Sequence, residues 1–277
     1  MIEKILITVK TYPTLSKKYA ELVCTAGVTE NGEWRRLYPI RFRQLYDGQK
    51  YGKYQWVEAE LERSSQDGRP ESHKILPSSL NAIGPPLPTD NCWRARRESF
   101  LDKVVKYDDL QQLIELAHRN ELSLAVFRPI RFLEFTFEPV EREWNAAKLA
   151  DLEKQKQQLH LFSDEETVAR QFEIVRKLPY KFSYRFEDCQ GKTSKLMIED
   201  WEIGALYWNC LKDNNGNEQT ALEKVKEKYW DQFVESGRHE LSLVLGTTLE
   251  HHNKRAPNPF VIISVVYPLF EKQMRMF

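Results

Sequence analysis

Apolar and β-branched residues near the start of the chain fall into short runs that are separated by turn residues. Residues 2–10 (IEKILITVK) and 20–28 (AELVCTAGV) predict two strands. The pair Asn31-Gly32 predicts a hairpin with strand 33–40 (EWRRLYPI), because the central residues of such a turn must accept positive φ. Residues 54–64 alternate apolar and acidic side chains and predict another strand. Several short strands with frequent turns favour a small barrel or a strongly bent sheet.

The rest of the chain mixes helical and strand patterns. Apolar residues between Leu110 and Ala117 share one helical face, and residues 122–140 return to a strand pattern. Residues 141–178 carry many charges and few apolar positions, which predicts a helical connector. After residue 179 a strand hairpin, two helices and two strongly apolar strands follow. We therefore predict an α+β fold with a β-barrel region of one or two barrels at 1–140, the connector at 141–178, and a C-terminal α+β domain with antiparallel strands at 179–277.

The charge balance restricts how this protein can contact a polyanion. The 277 residues include 41 basic and 41 acidic side chains, so a nucleic-acid site must be a local patch. The four cysteines are widely spaced and form no C-x-x-C pair, so we predict neither a zinc site nor a disulfide framework. No stretch approaches the ~20 apolar residues of a membrane helix, and we expect a cytoplasmic protein without a cofactor or membrane contact.

The first hairpin carries the densest group of candidate binding residues. Between Lys10 and Arg43 the chain has seven basic residues against three acidic ones. Arginine offers multidentate donors to phosphate, and tryptophan or tyrosine can stack on bases. The alternative is that Trp34 belongs to the core and that the arginines pair with the glutamates of strand 54–64. The predicted nucleic-acid contacts are Lys10, Lys17, Lys18, Trp34, Arg35, Arg36, Tyr38, Arg41, Arg43, Lys254 and Arg255.

The same segment contains the run S-x-K…V-C-x-A-G-V…G-x-W-x-R, which resembles the opening of the dual OB-containing domain. Members of that family are uncharacterised prokaryotic proteins found among conflict and defence loci, and the resemblance covers residues 1–140. It implies two barrels of the oligonucleotide-binding (OB) type and a role in nucleic-acid sensing or docking, and it does not imply catalysis. The residues that carry the resemblance are Ser16, Lys18, Val23, Cys24, Ala26, Gly27, Val28, Gly32, Trp34 and Arg36.

A second candidate site contains the carboxylates of Asp200 and Glu202. Hard cations take carboxylate ligands, so this pair is a weak candidate for Mg²⁺ in a metal-dependent nuclease or nucleotide hydrolase. The alternative is that Asp200 caps the following helix and that Glu202 interacts favourably with its dipole. The surrounding segment also resembles a bacterial module with a cysteine knuckle, but only Cys189 of its sulfur ligands is present, so we predict no zinc there.

Two loops carry further polar residues. The loop after residue 246 contains His251 and His252 beside its two basic residues, and it is either a phosphate-contacting loop or a solvated hairpin loop. The segment DGRPESHK, residues 67–74, is more typical of a surface connector locked by an Arg–carboxylate pair than of a catalytic loop.

These patterns together favour a non-catalytic accessory or sensor protein of prokaryotic antiviral defence or of a mobile element. It would bind nucleic acid, as a single strand rather than a duplex. The alternatives are the metal-dependent enzyme and a scaffold that docks a protein partner through 141–178.

Overall fold

The computed structural model describes most of the chain. The described residues are 2–16, 20–40, 42, 45, 49–147, 149–151, 153–154 and 175–271. They contain an N-terminal β-barrel, helices in the middle and C-terminal antiparallel strands with helices, so the predicted α+β class is confirmed.

The N-terminal strands close into a five-stranded barrel, which we call the first barrel. The strand order is β1-β3-β4-β6-β5, and β5 returns to pair with β1. Strands β4 and β6 are parallel, and the other neighbours are antiparallel. A small closed barrel of this kind is OB-like. The strands are β1 (Ile2–Lys10), β2 (Thr14–Ser16), β3 (Ala20–Thr29), β4 (Trp34–Ile40), β5 (Trp56–Arg63), β6 (Ser72–Ile75) and β7 (Asn81–Ile83).

The predicted hairpin between β3 and β4 is present, but its turn differs from the expected one. Thr29 and Glu33 are joined by a backbone hydrogen bond of 2.9 Å, so three residues form the loop. Within it Gly32 takes a φ of 83°, whereas Asn31 stays outside the positive-φ region. The carbonyl of Lys103 approaches Gly32 so closely that a side chain there would collide with it.

Strand β1 is buried on both of its faces. Ile5 and Ile7 point into the first barrel, whereas Leu6 and Val9 face the opposite way. These outward residues pack with Ala26 of β3 in an apolar cluster. The cluster also contains Leu124, Val126, Val244, Ile263 and Val266 from later in the chain. The outer surface of the first barrel therefore packs against strands from later in the chain.

The later strands form two sheets in what we call the second half, residues 106–271. The first sheet has the order β10-β11-β12 and the second β14-β13-β9-β8. A parallel bridge between Ile198 and Ile262 joins them. The strands are β8 (Lys106–Tyr107), β9 (Leu124–Phe127), β10 (Arg131–Pro139), β11 (Tyr180–Glu187), β12 (Thr193–Met197), β13 (Ser242–Thr247) and β14 (Phe260–Val266).

The second half repeats the strand order of the first barrel. Strands β9 and β10 follow each other in the chain and act as one strand interrupted at 128–130, since β9 pairs with β13 and β10 with β11. The strands of the second half then follow each other in the order β10-β11-β12-β14-β13-β9. As in the first barrel, one pair of neighbours, β12 and β14, is joined in parallel. In the structure, residues 124–139 of the predicted region 1–140 thus pair with C-terminal strands.

Helices fill the connections between the strands. The predicted apolar face of α2 is buried throughout, and Asp109 caps its start by accepting a hydrogen bond from the Gln112 amide. In the predicted connector, the described residues from 146 to 154 are helical, and 155–174 lie outside the described residues. The helices are α1 (Asp90–Arg96), α2 (Leu110–His118), α3 (Trp201–Asp213), α4 (Glu218–Lys226) and α5 (Leu249–Asn253), with a 3-10 turn at Pro77–Ser79 and π-helical segments at Arg97–Leu101 and Glu227–Glu235.

Candidate ligand cavity between the first barrel and the second half

The two neighbouring arginines of β4 have opposite environments. Arg35 binds two carboxylates at the surface, Glu3 through Nε and Glu33 through Nη2, both at 2.7 Å. Arg36 is 2% exposed and donates from Nη2 to the carbonyl and Oγ of Ser123, both at 3.1 Å. Its Nη1 lies 3.3 Å from Sγ of Cys24. Successive strand residues point to opposite faces, so this pair does not form one phosphate-binding surface.

The predicted stacking residues also separate. The indole of Trp34 packs edge-on against Phe100 at 5.6 Å between ring centroids, as expected for a partly covered core residue. Tyr38 is 42% exposed. Of the two predicted stacking platforms, Tyr38 is therefore the accessible one.

Lys10 is enclosed by aromatic rings instead of lying on an open surface. Its Nζ is 3.6 Å from the ring centroid of Phe42 and 4.4 Å from that of Trp201. Burial lowers the pKa of Lys10 to about 8. This lysine is placed for packing between the first barrel and α3 and not for phosphate contact.

The remaining predicted contacts lie at the end of α5 or outside the described residues. Lys254 is exposed and pairs with Glu250 at 2.6 Å, and Arg255 is exposed beside it. Lys17, Lys18, Arg41 and Arg43 lie outside the described residues. The structure thus does not bring the described members of the predicted set together on one face.

A cavity of about 370 Å³ lies between the first barrel and the second half. The barrel contributes the β1–β3 connection, the adjacent strands β3 and β4, and the β5–β6 loop. In OB folds the corresponding surface, strands 2 and 3 with the loops that follow strands 1 and 4, binds oligonucleotides. The barrel residues that line the cavity are Thr11, Thr14, Leu15, Cys24, Arg36, Tyr38 and Arg69, and the second half adds Glu199, Thr247, Thr248, Leu249, Val261 and Ile263.

The β5–β6 loop is locked by the predicted Arg–carboxylate pair. Nε and Nη2 of Arg69 donate to Asp67 at 2.9 and 2.6 Å, and Ser72 Oγ adds a bond of 2.8 Å. Burial alone would raise the pKa of Asp67, but the hydrogen bonds and charge of Arg69 lower it to about 2. Arg69 also donates to the carbonyl of Thr247 in the second half. The pair is buried between the halves, so this segment is not the surface connector we predicted.

Other polar side chains at this junction are satisfied inside the protein. Glu71 accepts hydrogen bonds from the amide and hydroxyl of Ser123 at 2.8 and 2.6 Å. His252 bridges Thr247 and Asn120 at 3.2 and 2.8 Å, and burial lowers its pKa, which favours the neutral ring. His251 is exposed. The adjacent histidines therefore point to different environments and do not form a shared ligand pair.

Glu199, which lines the cavity, differs from these residues because its carboxyl group has no partner. Within the described part of the chain it forms no hydrogen bond and no ion pair, and burial raises its pKa above the usual value. Its backbone is fixed, since its amide donates to Ile262 at 2.7 Å and its carbonyl accepts from Tyr12 at 2.8 Å. The sequence pattern singled out its neighbours Asp200 and Glu202, and nothing local distinguished Glu199.

Asp200 and Glu202 hold an ammonium group. Nζ of Lys53 lies 3.0 Å from Asp200 and 2.8 Å from Glu202. Asp200 also accepts from the amides of Glu202 at 3.1 Å and Val265 at 3.0 Å, so the predicted cap of α3 is confirmed. The described residues contain no cluster of three or more His, Cys, Asp or Glu side chains suited to a metal ion. The carboxylates are thus engaged in holding the halves together.

The fold and the cavity define a two-part α+β protein in which an OB-like barrel is joined through buried polar contacts to a second, similarly ordered strand system. Family comparisons divide the chain in the same way: residues 1–102 match the domain of unknown function DUF8758, and residues 106–277 match the domain of unknown function DUF8757. The second match spans more than half of the 277 residues, and the chain belongs to the DUF8757 family.

A search of curated proteins found no match to the chain. Among the helices in the described part of the structure, none is long and apolar enough to cross a membrane.

Proposed function

We propose that this protein is a non-catalytic nucleic-acid-binding accessory or sensor protein that holds one nucleotide of a single strand in the cavity between the first barrel and the second half. The observation that carries the proposal is the position of the cavity, on the barrel surface with which OB folds bind oligonucleotides. Its volume of about 370 Å³ is near the lower end of small-ligand pockets, ~300–1,000 Å³. That size favours one nucleotide over a longer bound segment.

The lining of the cavity suits a base better than a phosphate. Leu15, Val261 and Ile263 provide apolar contacts, and Tyr38, which is 42% exposed, contributes an aromatic ring on which a base can stack. Stacking of a base on an aromatic side chain is worth about 1–3 kcal/mol. The two cavity arginines already donate to protein acceptors. We therefore expect stacking and shape to supply more of the affinity than phosphate contacts.

Because stacking and shape supply most of the affinity, we expect oligonucleotide binding to depend only weakly on salt. Each phosphate neutralised on a single strand contributes about −0.7 to the slope of log affinity against log salt. Four phosphate contacts would give about −3, whereas a nucleotide held mainly by stacking gives a shallower slope. The resemblance to the dual OB-containing domain supports placing this binding in a prokaryotic defence or mobile-element system.

Fluorescence anisotropy with labelled single-stranded and duplex 12-mers tests the proposal. Tyr38→Ala should weaken single-strand binding about 5- to 150-fold, which corresponds to the loss of one stacked base. Leu249→Trp should weaken it too, because the larger side chain fills the cavity. Phe270→Ala, at an aromatic residue that is 53% exposed elsewhere, is the matched control. Unchanged affinity in both cavity variants would overturn the proposal.

A further inference from the structure

Glu199 lines the cavity but lacks the protein partners that its acidic neighbours have. The other acidic residues near the cavity, Asp67 and Glu71, accept several hydrogen bonds each from the protein. The Glu199 side chain makes none with the described residues, and the residue is half-buried. Partly buried carboxyl groups that line a cleft and have perturbed pKa values are concentrated at functional sites.

The backbone of Glu199 is held in a fixed place. The amide of Glu199 bonds to β14 through Ile262, and its carbonyl accepts from Tyr12 of the first barrel. The next residue, Asp200, is the fully buried cap of α3. Both halves therefore fix the backbone from which the Glu199 side chain extends at the cavity.

The chemistry of a carboxylate limits which base it can read. Its two oxygens accept two parallel hydrogen bonds, and they require two adjacent N–H donors. Guanine presents this pair on its Watson–Crick edge, at N1–H and the N2 amino group. Adenine and cytosine each offer an amino group next to a ring acceptor, and thymine offers one N–H between two carbonyl oxygens. Single strands expose this edge to side chains.

We propose that Glu199 selects guanine in the cavity by accepting hydrogen bonds from N1–H and the N2 amino group. The inference rests on the proposed function, because it requires that a base enters the cavity. A well-placed bidentate pair of this kind discriminates against a wrong base by about 5- to 150-fold.

The test uses the full chain and labelled oligothymidine 12-mers in which one central position carries G, inosine, C or A. The wild-type protein should prefer G over inosine, which lacks the N2 amino group, and over T. Glu199→Gln should lose the preference for G while binding oligothymidine as before. Glu58→Gln, at an exposed carboxylate on β5, is the matched control and should keep the preference.

The outcomes separate the two proposals. Binding of all the oligonucleotides with equal affinity overturns guanine selection and leaves the proposed function standing. Absence of binding to every oligonucleotide overturns both. If Glu199→Gln weakens binding to all sequences equally and lowers the melting temperature, Glu199 is structural and its selective role is refuted.

Discussion

The ammonium nitrogen of Lys53 lies 3.0 Å from Oδ2 of Asp200, and this ion pair joins the first barrel to the start of α3. The Lys53 side chain is 7% exposed and that of Asp200 is fully buried. Burial alone would lower the pKa of Lys53, but Asp200 and Glu202 raise it above its ordinary value. The charge of this lysine is thus maintained by carboxylates contributed from the other half.

Removing that ammonium group should destabilise the protein strongly. Lys53→Met leaves Asp200 buried without its counter-charge, and breaking a buried pair costs about 3–5 kcal/mol. Urea denaturation measures the change in the free energy of unfolding. Lys254→Met removes an exposed pair within α5 and its following turn and should change it by less than about 1 kcal/mol. Equal effects of the two substitutions would show that the buried pair does not hold the halves together.

Lowering the pH should weaken the buried ion pair between Asp67 and Arg69. The pKa of Asp67 is about 2 in the folded protein, below its ordinary value of 3.8, so the folded state binds fewer protons than the unfolded state. The stabilisation is present above the ordinary pKa and is lost as the pH falls from about 4 towards 2. Asp67→Asn should remove this pH dependence and lower stability at neutral pH, as measured by urea unfolding between pH 2 and 6. Asp213→Asn, at an exposed residue, should retain the wild-type profile.

A side chain at Gly204 should separate α3 from the first barrel. The ring of Tyr12 occupies the position that a Cβ atom at Gly204 would take. Tyr12 also accepts a hydrogen bond of 2.8 Å from Trp208, so the ring cannot move away without losing this contact. Gly204→Ala should lower stability by about 1–3 kcal/mol in thermal or urea unfolding. An added Cβ at Gly68 would meet nothing within 4 Å, and Gly68→Ala is the control. A neutral Gly204→Ala would contradict this packing.

Neither arginine of β4 is expected to bind phosphate, but their replacement should differ in its effect on stability. Arg35→Ala should leave oligonucleotide affinity and its salt slope unchanged, because the guanidinium group is held by Glu3 and Glu33. Arg36→Ala should lower stability by about 1–3 kcal/mol, because the buried acceptors of Ser123 lose their donor. Anisotropy across a salt series and urea unfolding measure the two effects. A shallower salt slope for Arg35→Ala would indicate a phosphate contact at this residue.

Several features could be predicted because neighbouring residues determine them. The β3–β4 hairpin needs a residue that accepts positive φ, and Gly32 provides it. The buried face of α2 follows from helical spacing, and Asp200 precedes α3 at the position where an acceptor is needed. The alternation along β5 likewise separates its core residues from its glutamates. Each of these depends on contacts within a few residues.

The sequence by itself determined the strand and helix types, the hairpin and the caps, since propensity and side-chain period act locally. Only the tertiary structure decided that Arg36 is buried, that Lys53 meets Asp200, and that Glu199 faces a cavity. These relationships join segments far apart in the chain, and they arise when the second half packs on the outer surface of the first barrel. A basic or acidic residue has the same local pattern whether a distant segment covers it or leaves it open, so its role is set by packing.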